Sequence, residues 1–182
     1  IISDDHSYQT IGAYGSKIGR TPHIDRIAKE GLVFNNAYVN NSICGPSRAT
    51  LLTGKYSKKN GFKDNETSHF DFSQNLFVKD LQNVGYKTAW IGKIHLGHKL
   101  QGFNYYDILN DQGHYFNPDF ISKKGTERVE GYVPDIVTDK AINWLDSIDT
   151  NIPFCLVIGH KATHRTWMPD PKDFGTYDND EF

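Results

Sequence analysis

Apolar residues along this chain alternate between short runs and helically spaced stripes, a pattern that predicts an α/β fold. Ile1-Ile2-Ser3 reads as the last part of a buried strand. From Thr21 to Gly31 the pattern predicts a helix, with Thr21 as cap, Pro22 in the first turn, Ile24, Ile27 and Ala28 on one face and Gly31 at its end. Leu32-Val33-Phe34 begins a strand-like segment that runs toward Val39. Pro46 in a first turn and Gly54 at a terminus bracket a short apolar helix that starts at Cys44. Tyr56 to Ser73 is polar, without period, and reads as surface loop. Leu76, Leu81 and Val84 mark a helix that Gly85 ends, and Tyr86 to Ile91 is rich in strand formers. Gly102 to Gly131 reads as a long aromatic and polar loop. Ile136, Val137, Ala141, Ile142, Leu145 and Ile148 form the stripe of a helix over 134–149, and Pro153 to Gly159 reads as a buried strand. Strands that alternate with helices and end in polar clusters predict a mainly parallel sheet sandwiched by helices.

The 182 residues suffice to bury a core. An abrupt apolar start at Ile1 and a polar finish at Asp178 to Phe182 give the expectation of a piece of a larger domain. With 20 Lys and Arg against 22 Asp and Glu, the net charge of -2 provides no field to draw the chain to nucleic acid or an anionic membrane. Any anion specificity must therefore be local. No apolar run approaches the length of a membrane span. Two cysteines, Cys44 and Cys155, make no disulfide framework, and Cys155 is expected in the core. Aromatic residues at 13% suit a sugar-binding cleft, although core packing explains most aromatics.

The candidate chemistry lies at strand ends and at one helix start. Asp4 and Asp5 follow the first strand; two adjacent carboxylates repel, and a divalent cation or a solvated turn relieves that repulsion. Cys44 at a helix N-terminus is acidified by unpaired N–H groups, and Arg48, four residues on, falls on the same face, directed back at it. A small buried hydrophobe is the other reading of that cysteine. Lys93 and His95, two apart in extended chain, point to one side at the end of the strand over 86–91. An ammonium and an imidazole directed at one point suit an oxyanion and a proton transfer. His160, Lys161, His164 and Arg165 follow the strand over 153–159, and Trp167 is placed to stack on a sugar ring.

Cys44-Gly45-Pro46-Ser47-Arg48 followed by Leu52-Thr53-Gly54 resembles the signature of type I sulfatases, whose cysteine is oxidised to formylglycine by a maturation enzyme. Gly85-Tyr86-Lys87-Thr88 through Gly92-Lys93-Ile94-His95 resembles the second signature of that family. The resemblance covers nearly the whole chain and implies the alkaline-phosphatase-like α/β/α fold, of which this chain would be the N-terminal portion. It implies calcium, or magnesium, held by Asp4, Asp5 and position 44, with Cys44, Arg48, Lys93, His95 and His164 as catalytic residues. Lys93 and His164 would contact the substrate, with Arg165, His160 and Lys161 as second candidates beside Trp167. Thr163 stands where a proline is common, which leaves the shape of the turn before His164 open. The implied reaction is attack of hydrated formylglycine on a sulfate ester, with Lys93 or His164 assisting the leaving alcohol and His95 the release of sulfate. The run His160 to Pro169, with Gln112-Gly113 and Asn117-Pro118, is similar to bacterial sulfatases of glycosaminoglycan or mucin sugars, particularly N-acetylglucosamine 6-sulfate. The family also implies export to the periplasm or outside the cell. Two alternatives remain at this level: a phosphodiesterase or phosphonate hydrolase of the same superfamily, and a silent binder of sulfated sugars.

Overall fold

In the computed structural model, which describes residues 1–97 and 100–181, the chain divides into two compact units. The larger comprises residues 1–4 and 39–161. Its sheet contains β1 (Ile2–Ser3), β2 (Lys87–Gly92), β3 (Tyr105–Leu109), β4 (Asp119–Ser122), β5 (Gly125–Arg128) and β6 (Phe154–His160), in the spatial order β1-β6-β2-β3-β4-β5. The first four strands of that order are parallel, while β4 and β5 are antiparallel. The helices of this unit among the described residues are α2 (Cys44–Thr53), α3 (Ser57–Asn60), α4 (Phe77–Asn83) and α5 (Val133–Ser147). The smaller unit, residues 5–38 and 162 onward, contains α1 (Pro22–Glu30) and three short 3-10 turns.

The core of the larger unit joins Leu52 of α2, Leu76 and Val78 beside and in α4, Trp90 of β2 and Ile108 of β3 with Phe62, Phe72 and Phe103. Each apolar side chain removed from water here contributes roughly 1.5–3 kcal/mol. That burial fixes α2 beside the sheet. Gly54 ends α2 in the left-handed region (φ 64°), as the sequence predicts, and its N–H reaches the Thr50 carbonyl.

Gly102–Gly131 is not a loop: it holds β3, β4 and β5. The β4–β5 hairpin turns through Lys123-Lys124 between paired Ser122 and Gly125, without the Asn-Gly signal that would announce it. Tyr56–Ser73 likewise contains helix α3 and buries Phe62 and Phe72. Leu32–Val39 forms no strand: Leu32 is 84% and Tyr38 92% exposed, with no ladder partner among the described residues. Thr21 does not cap α1; its hydroxyl accepts from Gly12 N–H and donates to Asp25. Ile24 and Ile27 of α1 are exposed. In α5 Ile142 faces outward and Trp144 is buried instead, and β6 is only half-buried along most of its length, Cys155 included.

Where β2 and β6 end, Gly92 and Gly159 lie opposite each other. Gly92 has φ +91°, and Lys93 N–H donates to the Gly159 carbonyl at 2.7 Å. A Cβ at Gly159 would stand 2.2 Å from the Lys93 carbonyl oxygen. That collision is with backbone, which cannot rotate away. Gly159→Ala should therefore cost about 3 kcal/mol of stability, the upper part of the ordinary overpacking range, read as a lowered urea midpoint of the full-length protein. An unchanged midpoint would contradict the close approach of these two strands.

Candidate active site

The ends of β1, β2 and β6 and the start of α2 bring one group of side chains together in the larger unit. Asp4 follows β1 and is 5% exposed. One of its carboxylate oxygens accepts from Arg48 Nη2 at 3.2 Å and the other pairs with the Lys93 ammonium. Burial on its own would raise the Asp4 pKa, but the Arg48 guanidinium and the Lys93 ammonium outweigh it and hold the carboxyl below its usual range. Arg48 thus serves Asp4 rather than turning back on Cys44 as the helical spacing suggests. The guanidinium is long enough to bypass the first turn and reach the buried carboxylate.

Cys44 is the first residue of α2 and half-buried. Its Sγ lies 3.0 Å from His95 Nδ1 and 3.0 Å from Asn65 Nδ2, which donates to it. Asn65 accepts with its other amide atom from Gly45 N–H at 3.1 Å. A Cβ on Gly45 would lie 2.4 Å from that same oxygen, so the motif glycine admits Asn65 to the Cys44 sulfur. His95 Nε2 is 2.9 Å from Asp111 Oδ1, so the imidazole spans thiol and carboxylate. Lys93 and His95 do not share a side through extended backbone, as their spacing predicts; His95 has φ +60°. Gln112 joins them instead. Its Oε1 accepts from Lys93 Nζ at 2.5 Å and its Nε2 lies 3.4 Å from His95 Nδ1.

Burial pushes the Cys44 thiol up, yet the hydrogen bonds from His95 and Asn65, with the charges of His95 and Lys93, bring it down to about 7 from 9.0. The unmodified thiol should therefore be alkylated by iodoacetamide with a rate midpoint near pH 7. Below that pH the thiol is protonated and slow; above it the thiolate reacts. His95→Ala removes the strongest of the lowering contacts and should move the midpoint upward, and an unmoved midpoint would contradict the pairing.

The smaller unit presents Asp5, exposed and with φ +54°, and His164, whose Nε2 lies 3.8 Å from Asp5 Oδ2. Thr163 Oγ1 donates to the Asp5 carbonyl at 3.2 Å, so a hydrogen bond ties the turn that a proline would otherwise stiffen. Arg165 and Trp167 are exposed. Asp4 and Asp5 offer the hard oxygens that calcium takes, but two carboxylates fall well short of its roughly six to eight ligands. Among the described residues no group of three or more His, Cys, Asp or Glu side chains could hold a metal ion.

Sequence reasoning did not single out Asn65 or Asp111 and named Gln112 only as part of a longer resemblance. Asn65 does have a local signal: Asp64 accepts from the N–H groups of Glu66, Thr67 and Ser68, a side-chain turn that the Asp-x-x-Thr spacing encodes.

Comparison with known proteins places this arrangement. The Sulfatase family matches residues 1–181. Over its whole length the chain is 48% identical to N-acetylglucosamine-6-O-sulfatase of Bacteroides thetaiotaomicron, of which it spans about a third (33%). Human N-acetylgalactosamine-6-sulfatase is 36% identical over 113 residues, 56% of this chain and 22% of that one. The solved structure of BT4656 with its substrate D-glucosamine-2-N,6-O-disulfate superposes with a TM-score of 0.96 at 47% identity, covering all of this chain and 37% of that one. Ps i-CgsB bound to a neocarrahexaose superposes at 0.89 with 27% identity, covering 100% and 48%. The mainly parallel sheet is accordingly that of the alkaline-phosphatase-like α/β/α fold. With its two signatures folded around one cysteine and a family match running from the first residue to 181, the chain belongs to the sulfatase family.

Proposed function

We propose that this chain carries the nucleophile-bearing portion of a sulfuric ester hydrolase acting on a sulfated carbohydrate, N-acetylglucosamine 6-sulfate in glycosaminoglycan or mucin being the favoured substrate. The observation that carries the proposal is Cys44, placed at a helix start against His95 and Asn65 and within the field of the buried Lys93 ammonium. The substrate rests on the 48%-identical relative named for 6-O-desulfation of N-acetylglucosamine and on the glucosamine disulfate bound by BT4656.

Oxidised to formylglycine by a maturation enzyme, position 44 would supply a hydrated aldehyde whose hydroxyl is the attacking oxygen. The chain's own residues serve that oxygen in definite ways. Asn65 donates to the position the nucleophilic atom occupies, and His95 Nδ1 lies where a proton on that atom can be held. Asp111 holds the imidazole from its other nitrogen, and the Gln112 amide lies beside the ring. Lys93, paired with Asp4 and close enough to act on position 44, would supply positive charge as negative charge develops on the sulfate oxygens, and Arg48 on the same carboxylate would keep that ammonium from being fully neutralised by Asp4. His164 is assigned to the substrate by the family pattern, with Arg165 a second candidate and Trp167 a ring to stack on the sugar. Calcium belongs to the same proposal, with Asp4, Asp5 and position 44 among its ligands and the remaining oxygens supplied from outside the described residues. Export to the periplasm or the cell exterior completes it.

The test is release of inorganic sulfate from N-acetylglucosamine 6-sulfate by the full-length protein made in a host that matures sulfatases, beside the matched phosphate ester. Sulfate release in clear excess over phosphate release is the expected result. Preference for the phosphate ester would transfer the site to the phosphodiesterase branch, and binding without turnover would make it a silent binder.

A further inference from the structure

The mechanism above leaves one buried charge unused. Lys161 follows β6 at the edge where β1 and β2 also end, and it is 5% exposed. Strand register sets its place: Ser3 pairs with His160, the last residues of β1 and β6, so Asp4 and Lys161 each follow a paired residue at this sheet edge, where the Lys161 ammonium also feels the charges of Asp4, Lys93 and Cys44. The Asp4 carboxylate, however, is already shared between Arg48 and Lys93. The contact Lys161 does make is with the ring of Tyr115, whose centroid lies 5.0 Å from its Nζ. A ring face is a partial substitute for a carboxylate, worth far less than the hydration that a buried ammonium gives up.

Counting charges around Asp4 gives three buried cations, Arg48 (2%), Lys93 (0%) and Lys161 (5%), against one buried carboxylate. Asp111 also faces this region, but its side chain is 66% exposed and engaged with His95. The imbalance is local, since the whole chain carries a net charge of -2. A buried surplus of positive charge next to Cys44 favours an anion that arrives from solution.

We infer that Lys161 is an anion-binding residue of this site, its ammonium contacting an oxygen of the sulfate group held over position 44. The inference rests on the sulfatase reading and adds a cation to it. It carries a signature that a packing role would not show. Because the ammonium is buried without a carboxylate, a neutral side chain of similar length should leave the fold unharmed while it weakens the anion.

The experiment uses the full-length protein with Lys161→Met, Lys161→Gln and Lys161→Arg, inorganic sulfate as the probe and N-acetylglucosamine 6-sulfate as the substrate. In both neutral variants the inhibition constant for sulfate and the KM for the ester should rise roughly tenfold to a hundredfold, the range of one charged hydrogen bond. Lys161→Arg should restore most of the loss, and the melting temperatures of the neutral variants should match or exceed that of the wild type. Sulfate inhibition equal to wild type in both neutral variants would overturn the inference, as would a lowered melting temperature in both. A wild type that turns over no sulfate ester, yet binds inorganic sulfate less tightly after Lys161→Met, would refute the hydrolase reading and leave the anion site standing.

Discussion

Cys44→Ala should abolish sulfate release by the full-length protein, a fall on the order of 10^4-fold or more in kcat, because it deletes the atom that attacks while leaving the cations in place. Stability should change little. Cys44 is half-buried, and its removal costs the contacts that Asn65 and His95 make with Sγ, about 1 kcal/mol for an unreplaced hydrogen bond. Activity and folding therefore separate in this variant. Sulfate measured by ion chromatography checks the first, and thermal melting the second. Residual turnover above about a tenth of wild type would remove Cys44 from the chemistry, since nucleophile deletions elsewhere cost several orders of magnitude. A large fall in melting temperature would make it a core residue after all.

Lys93→Ala should do the opposite and damage both. The ammonium is fully buried between the Asp4 carboxylate and the Gln112 amide, so its loss leaves Asp4 with Arg48 alone and frees the amide that steadies His95. Breaking a buried pair by removing one partner typically costs about 3–5 kcal/mol. Loss of one preorganised cation should lower kcat by roughly 10^2 to 10^3 as well. Lys93→Met separates the two parts of the stability cost. It keeps the packing volume, so its deficit relative to wild type is the electrostatic part, and the further deficit of the alanine variant is the cavity. Denaturant unfolding and sulfate release on the two variants check the account. A Lys93→Ala protein as stable as wild type would show that Asp4 does not depend on this ammonium.

Much of this arrangement is legible in the residues themselves. Pro46 and Gly54 bracket α2, and the shift from strand formers to Gly92-Lys93-Ile94-His95 marks the end of β2. Each signal is local, within one turn of helix or one strand, where sequence pattern and physical cause coincide. What escapes the sequence is long-range. Arg48 bypasses Cys44 for Asp4, forty-four positions away, because a buried carboxylate draws a guanidinium more strongly than a half-buried thiol does. Lys93 and His95 meet through Gln112, and His95 reaches Cys44 with a left-handed backbone rather than an extended one. Spacing along the chain cannot reveal either fact. Strands β3 to β5 are hidden for a different reason: Gly102 to Gly131 mixes aromatic, polar and glycine residues without clean alternation, and length and composition then favour a loop. Tertiary pairing decides the matter, with β3 hydrogen-bonded beside β2 and the hairpin continuing the sheet. The same pairing delivers Asp111 and Gln112, just past β3, to the His95 imidazole.

The central claim is that Cys44 is a maturation target whose oxidised form is the nucleophile, and peptide mass spectrometry of the Cys44 segment tests it most directly. The protein would be expressed in a host with sulfatase-maturing activity, digested, and treated with a hydrazide reagent that captures aldehydes. An aldehyde at position 44, absent from the Cys44→Ala variant, is the predicted result. An intact thiol throughout, under conditions that mature a control sulfatase, would contradict it.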